Sequence, residues 1–117
     1  METLTIYHNP RCSKSRAALA LLQARNVPLR IVEYLKDPPS RTELAALRTK
    51  LGVPPSEWVR TGESEYKSAK LGPQSTEAAV LDAMAKHPIL IERPIVVRGT
   101  RAVVGRPPER VLELLEQ

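Results

Sequence analysis

Residues 8–16, HNPRCSKSR, hold the groups of this chain that are best suited to chemistry. They contain Cys12, the only cysteine, together with His8 and several cations. A helix N-terminus or neighbouring cations stabilise a thiolate and lower the thiol pKa from about 8.5 to roughly 3.5–7.5. An inert, buried cysteine is the other interpretation. Because Cys12 stands between a predicted strand and a predicted helix, we favour a reactive thiol with His8 as its hydrogen-bonding or electrostatic partner.

Two thiol motifs are excluded by residues that can be read directly. A dithiol redox pair, Cys-x-x-Cys, needs a second cysteine at position 15, where the chain has Ser15. A Cys-x5-Arg phosphatase loop needs an arginine at position 18, where it has Ala18. A single cysteine also excludes an intramolecular disulfide and a metal site built mainly on cysteine, and we expect no metal. Any disulfide that Cys12 forms must therefore be with another molecule.

The composition is that of one globular domain, with 117 residues of which 42% are hydrophobic. The net charge of +5 indicates an anionic partner or a solvated basic surface. Aromatic residues are only 3% and no recognition motif is present, so we expect no direct nucleic-acid binding. The apolar runs are too short to span a membrane, and METLTIYHNP lacks the features of a signal peptide. With an unpaired cysteine, these features lead us to expect a cytoplasmic protein without membrane partners.

The hydrophobic pattern of the first third predicts a β-α-β unit. Strands are predicted at residues 3–7 and 30–35, around a helix that runs from Ser13 to about Arg25 and ends at Asn26. Two strands joined in this way are usually parallel. The sequence therefore places Cys12 at the carboxyl end of a strand and the start of a helix.

A helical block and a β-β-α segment complete the predicted fold. Ser40 and Glu43 have the spacing of a capping box at the start of the block. Near the end, IVVR and RAVV flank Gly99-Thr100, which is a hairpin signal. Pro107-Pro108 begins a final helix, for which we predict a buried face of Val111, Leu112 and Leu115. The whole order predicts an α/β fold with a mixed four-stranded sheet and helices packed on it.

Four segments in the same order resemble the glutaredoxin-dependent arsenate reductase family, the ArsC-like proteins. They are YHNPRCSKSR, YLKDPPSRTEL, HPILIERPIVV and GRPPERVLELL. The resemblance covers nearly the whole chain, and the cysteine loop combined with a distant Arg-Pro-Ile-Val-Val segment makes it specific. It implies a thioredoxin/glutaredoxin-like fold, with one domain over residues 1–117 and a helical insertion at about 40–88.

The resemblance also implies a role for individual residues. Cys12 aligns with the family's nucleophile, and His8 aligns with the histidine that lowers the pKa of that thiol. Arg60, Arg93 and Arg106 align with three arginines that hold arsenate and the arsenic–thiol adduct. The planar fork of arginine gives bidentate, charge-assisted hydrogen bonds to such an oxyanion.

Two further positions are implied to shape the site. The resemblance predicts a cis peptide bond before Pro94, which would bring backbone beside the thiol. From the residues themselves, Ser13 and Ser15 either cap the helix, which is the commoner role, or bond the anion, and we expect Ser15 to shape the site. The chain departs from well-known arsenate-reducing members at Ser13-Lys14, where they have Gly-Thr, and this difference adds a charge near Cys12.

The implied reaction begins with attack of the thiolate on arsenic and loss of water. Glutathione then attacks as co-substrate, glutaredoxin resolves the mixed disulfide, and arsenite leaves, so no tightly bound cofactor is expected. Two alternatives remain open. One is a regulator related to the Spx proteins, which bind RNA polymerase and typically carry Cys-x-x-Cys, against which Ser15 argues. The other is a protein that forms a mixed disulfide with glutathione but reduces no arsenate.

Overall fold

The computed structural model describes residues 2–115, and its helices and strands follow the predicted order. The strands are β1 Leu4–His8, β2 Leu29–Glu33, β3 Ile95–Arg98 and β4 Arg101–Val104. The α-helices are α1 Ser13–Ala24, α2 Arg41–Leu51, α3 Ser64–Ser68 and α4 Glu77–Lys86. Three 3-10 helices span Pro55–Glu57, Pro88–Leu90 and Pro108–Leu115. Over the described residues, none of these helices combines the length and the apolar character that crossing a membrane requires.

The four strands form one mixed sheet in the order β2-β1-β3-β4. β1 is parallel to β2 and antiparallel to β3, and β3 and β4 form an antiparallel hairpin. Gly99 in the hairpin turn has φ of +59°, a conformation that glycine adopts without steric cost. The predicted mixed four-stranded sheet and hairpin are confirmed.

The described part of the chain divides into two compact units. The first contains residues 2–37 and 93–115, and the second contains Pro38–Glu92. The sheet and α1 belong to the first unit, whereas α2, α3 and α4 belong to the second. The assignment of residues 1–117 to one domain with an insertion at about 40–88 stays a prediction, and residues 1, 116 and 117 lie outside the described residues.

The core of the first unit explains how β1 and α1 are held. β1 alternates so that Leu4, Ile6 and His8 are buried on one face. In α1, Ala18 and Leu22 lie on a buried stripe at helical spacing. The core cluster consists of Leu4, Ile6, Ala18, Leu22, Val96, Val103, Val111 and Leu114. The alternation that buries the apolar residues of β1 also buries His8 at the carboxyl end of the strand.

The helix ends follow local sequence signals in both units. α1 is followed by Asn26 at φ of +55°, as predicted. At α2, the Ser40 hydroxyl accepts a hydrogen bond from the Glu43 N–H at 3.1 Å, and the Glu43 carboxylate accepts one from the Ser40 N–H at 3.0 Å. Gly52 ends α2 with φ of +71°. The predicted capping box is confirmed.

The final helix differs from the prediction. Pro108–Leu115 is a 3-10 helix in which Val111 and Leu114 are buried, not the predicted face of Val111, Leu112 and Leu115. Residues three apart align in a 3-10 helix, which has three residues per turn, whereas the prediction assumed the 3.6-residue period of an α-helix.

Candidate active site

A tight turn between β1 and α1 places Cys12 at the start of the helix. The Cys12 N–H donates a hydrogen bond to the Asn9 carbonyl at 3.0 Å, and the Arg11 N–H donates to the Asn9 side-chain oxygen at 3.0 Å. The helix then begins with the Arg16 N–H donating to the Cys12 carbonyl at 3.0 Å. Cys12 is therefore the N-cap residue, next to backbone N–H groups that have no partner within the helix.

The half-buried Cys12 side chain has a lowered pKa. Burial is the largest single influence and raises the pKa of this thiol. The backbone N–H of Ser15, the Arg93 guanidinium and the backbone N–H of Lys14 favour the thiolate and together outweigh burial, so the pKa falls below its ordinary value. This direction agrees with the reactive-thiol interpretation.

Two arginines from a distant part of the chain meet at the cysteine. Arg106 donates through Nε to the Arg93 carbonyl at 2.9 Å, while its Nη2 lies 3.8 Å from the Cys12 sulfur. Arg93 itself acts on the thiolate by charge and by hydrogen bonding. A half-buried thiolate and two guanidinium groups can bind a tetrahedral oxyanion and present a nucleophile to its central atom.

Pro94 and Gly105 hold the two arginine segments together. The Arg93-Pro94 peptide bond is cis, as the resemblance predicted, and the Arg106-Pro107 bond is also cis, which sequence reasoning did not predict. The Gly105 N–H donates to the Pro94 carbonyl at 2.8 Å. A Cβ at position 105 would lie 2.7 Å from Pro94 Cγ and 2.9 Å from Val111 Cγ1, closer than real contacts allow. Because Gly105 has no side chain, the backbone just before Arg106 can pack directly against Pro94 and Val111.

His8 contacts Ser15. The buried His8 Nδ1 lies 2.6 Å from the hydroxyl oxygen of Ser15, which also accepts a hydrogen bond from the Asn9 N–H at 3.0 Å. Burial is the main cause that lowers the pKa of His8, which favours the neutral imidazole. Ser15 is thus shared by both residues, since its hydroxyl contacts His8 and its backbone N–H favours the Cys12 thiolate. The predicted role of His8 in lowering the pKa of Cys12 stays a prediction.

Arg60 lies in the second unit and is paired with carboxylates. Its Nη1 lies 2.6 Å from Glu63 Oε1, and its Nε lies 3.8 Å from Glu92 Oε1. An incoming anion would compete with these two carboxylates for the guanidinium. Its predicted role as a third arginine for the oxyanion stays a prediction.

Comparison with known proteins assigns the chain to a family. The model of the ArsC family matches residues 7–114. The chain belongs to the ArsC family. An arsenate reductase of Neisseria meningitidis is 44% identical over 117 residues, which cover 98% of this chain and 100% of the relative. The resemblance identified from the cysteine loop and the arginine segments is confirmed.

One further relative of this chain has a name that gives no activity. The uncharacterized protein YfgD of Escherichia coli is 46% identical over 112 residues, which cover 94% of each chain. Among solved structures, the arsenate reductase from Vibrio cholerae matches with a TM-score of 0.90 and 46% identity, over 96% of this chain and 97% of that one. The expected thioredoxin-like fold is thereby confirmed.

Two residues that organise this ArsC site were missed in the sequence. Asn9 ties the turn together through its backbone and its side chain, and Gly105 allows close packing at Pro94. The Asn-Pro pair after β1 was a readable turn signal for the first. The second depends on packing between segments that are distant in sequence. Within residues 2–115, no group of three or more His, Cys, Asp or Glu side chains is arranged to hold a metal ion.

Proposed function

We propose that this ArsC-family chain reduces arsenate to arsenite through a covalent adduct on Cys12, with glutathione and glutaredoxin as external thiols. The observation that carries the proposal is a thiol with a lowered pKa that has Arg106 Nη2 at 3.8 Å and the charge of Arg93 beside it. The names of the Neisseria meningitidis and Vibrio cholerae relatives support arsenate as the substrate.

In the first step, Cys12 attacks arsenic. The thiolate sulfur forms a bond to As(V), and one arsenate oxygen leaves as water after taking up protons. Arg93 and Arg106 are the proposed binding groups for the remaining oxygens, because guanidinium forks match oxyanion geometry. Arg60 is proposed as a third, provided that its pairing with Glu63 and Glu92 yields to the anion.

In the second step, a thiol from solution removes the arsenic. The glutathione sulfur attacks the Cys12 sulfur, the S–As electron pair passes to arsenic, and As(III) leaves as arsenite after taking up the proton. The product on the protein is a mixed disulfide between Cys12 and glutathione. A glutaredoxin thiolate then attacks the glutathione sulfur of this disulfide, so Cys12 leaves as a thiolate and glutaredoxin carries the glutathione as a new mixed disulfide. Glutathione acts here as a co-substrate, and a reducing compartment such as the cytoplasm would keep Cys12 and the external thiols reduced.

The proposal is tested by a coupled assay with arsenate, glutathione, glutaredoxin, its reductase and NADPH. Wild-type protein should give arsenate-dependent NADPH oxidation, and Cys12→Ser should reduce the rate to background. Arg106→Ala should lower kcat/KM for arsenate about 100-fold, because it removes a charged donor at the reacting sulfur. The matched control is Arg110→Ala, which removes a more exposed arginine that is paired with Glu113, and it should change the rate less than about twofold.

The alternatives are separated by the same preparation. A wild-type protein without arsenate-dependent turnover contradicts the proposal. If Cys12 still forms a mixed disulfide with glutathione, that result indicates a glutathione-linked binding protein. Co-purification with RNA polymerase would instead indicate the Spx-like regulator.

A further inference from the structure

A cavity of about 250 Å³ lies at the carboxyl ends of the two parallel strands. It is lined by residues 8–11 at the end of β1 and by Glu33, Leu35 and Lys36 at the end of β2. Crevices outside the carboxyl ends of neighbouring parallel strands are common ligand sites. Its described lining does not include Arg93 or Arg106, so the cavity is distinct from the arginine pair at the sulfur.

The chemistry of Cys12 requires a second molecule near this cavity. The chain has one cysteine, so a thiol from outside must resolve whatever is attached to its sulfur. Arg11 forms part of the cavity wall, and Cys12 is the next residue, with Cα atoms of neighbouring residues about 3.8 Å apart. A thiol compound held in the cavity would therefore lie next to the residue that carries the reacting sulfur.

The walls of the cavity have a definite chemistry. Arg11 and Lys36 supply two cations, while Pro10 and Leu35 supply apolar surface, and Leu35 is 46% exposed. Glu33 also lines the cavity, and its carboxylate lies 3.6 Å from Lys36 Nζ, so the two cations and the one carboxylate of the lining leave one net positive charge. The volume is below the roughly 300–1,000 Å³ of sites that enclose a whole drug-sized ligand, so this cavity suits one end of a ligand. One net positive charge beside apolar surface is suited to a carboxylate on a short aliphatic arm.

We propose that this cavity binds the carboxylate-bearing end of the low-molecular-weight thiol that acts at Cys12, of which glutathione is the example tested. This inference rests on the proposed function, in which an external thiol acts at Cys12, and it adds where that thiol binds. Arg11 and Lys36 attract the carboxylates, and the Pro10–Leu35 surface contacts the aliphatic part of the peptide. Arg93 and Arg106 keep their proposed role in binding the oxyanion.

The test measures the formation of mixed disulfides at Cys12 without arsenate. In this reaction the Cys12 thiolate attacks one sulfur of a disulfide, an S–S bond to the protein forms, and the other half leaves as a thiolate. Glutathione disulfide and the neutral hydroxyethyl disulfide are used as probes, and the rates are followed by intact-protein mass spectrometry. The ratio of the two rates reports recognition of the peptide, because both probes react with the same sulfur.

The variant Arg11→Ala/Lys36→Ala should lower this rate ratio about 3- to 10-fold, since the attraction between an exposed cation and a carboxylate is modest. The matched control is Arg30→Ala, an exposed cation on β2 that is not part of the cavity wall, and the ratio should not change. Glutathione disulfide with its carboxylates esterified should lose the advantage over the neutral probe with wild-type protein. Added salt should reduce the advantage of unmodified glutathione disulfide.

An unchanged ratio in the double variant would overturn the proposal, as would an equal fall in Arg30→Ala. Esterified and unmodified glutathione disulfide reacting equally fast would also overturn it. The coupled arsenate assay separates this result from the proposed function. If glutathione disulfide is preferred but arsenate is not turned over, only the assignment of arsenate as substrate is contradicted. If arsenate is turned over but glutathione disulfide is not preferred, only the proposed thiol-binding cavity is contradicted.

Discussion

The first turns of α1 and α2 both present backbone N–H groups that have no partner within the helix, but the two helices satisfy them differently. At α2, Ser40 is the N-cap and Glu43 is the third helical residue, and each accepts a hydrogen bond from the other's backbone N–H. At α1, Cys12 is the N-cap and Ser15 is the third helical residue, but the Ser15 hydroxyl contacts His8 and Asn9. The first turn of α1, SKSR, contains two cations and no carboxylate. The chain therefore closes α2 with its own anion, whereas the start of α1 favours a thiolate.

The arginines of the two units show a similar contrast. Arg60 lies beside two carboxylate side chains, Glu63 and Glu92, which compensate its charge. Arg106 is oriented by a backbone carbonyl and reaches the Cys12 sulfur. A backbone carbonyl carries no net charge, and in this orientation Arg106 Nη2 lies 3.8 Å from the Cys12 sulfur, close enough to donate to a thiolate or to a bound anion.

Among the changes at the two helix starts, removal of the Ser15 hydroxyl should have the largest effect on stability and on the Cys12 pKa. Ser15→Ala leaves the buried His8 Nδ1 and the Asn9 N–H without their shared partner, so we expect the free energy of unfolding to fall by about 2 kcal/mol. The turn that holds Cys12 should loosen, and the pKa of Cys12 should rise. Urea unfolding and the pH dependence of alkylation by iodoacetamide measure the two effects.

The control for this variant is Ser13→Ala, which removes an exposed hydroxyl from the same helical turn. It should change the free energy of unfolding by less than about 0.5 kcal/mol. If Ser15→Ala were as stable as the wild type and had the same thiol pKa, Ser15 would not be the group that organises the start of α1.

The corresponding change at α2 should affect stability alone. Ser40→Ala removes the N-cap hydroxyl and should lower the free energy of unfolding by about 1 kcal/mol. Because Ser40 closes its own helix, the alkylation pKa of Cys12 should not change. Thiol titration and urea unfolding of the same sample test this, with Thr61→Ala at an exposed turn position as the control. A shift in the Cys12 pKa in Ser40→Ala would mean that the two helix starts are coupled.

Features that depend on residues close together in the sequence could be predicted, and features that depend on distant residues could not. The capping box at Ser40 and the Gly99 hairpin depend on residues within a few positions of each other, and their sequence signals were sufficient. The 3-10 form of Pro108–Leu115 was not predicted, because an apolar pattern over eight residues does not separate a period of 3.0 from one of 3.6.

The site was predictable only in part from the residues themselves. Cys12 was readable as a thiol at a helix start, but Arg106 is 94 residues away, and no periodicity connects the two. Its assignment, like that of Arg93, came from resemblance to a family. The contact between His8 and Ser15 could not be read from sequence, because it depends on how the Asn9 turn folds α1 back against β1.

The smallest predicted effect is a pH dependence that separates the two helix starts. The pKa of Cys12 is lower in the folded protein than in the unfolded chain, so the folded state binds fewer protons at this thiol. This contribution to stability is fully present above the ordinary thiol pKa of about 8.5 and is lost as the pH falls through the folded pKa. The free-energy difference between wild type and Cys12→Ser should therefore shift in favour of the wild type as the pH rises from the folded thiol pKa to the ordinary value of about 8.5.

The Ser40→Ala difference should stay constant over the same range, because a serine hydroxyl does not titrate there. His8 adds a lower window, since burial also depresses its folded pKa. Its contribution is present above the unfolded value of about 6.5 and is lost as the pH falls through the folded value, so His8→Gln should flatten the stability profile only below about pH 6.5. Urea unfolding of the four proteins across this pH range measures all three differences. If the stability advantage of wild type over Cys12→Ser does not change with pH, the start of α1 stabilises the thiol as well as the thiolate. The two helix starts would then differ in how their turns are packed and not in their preference for a negative charge.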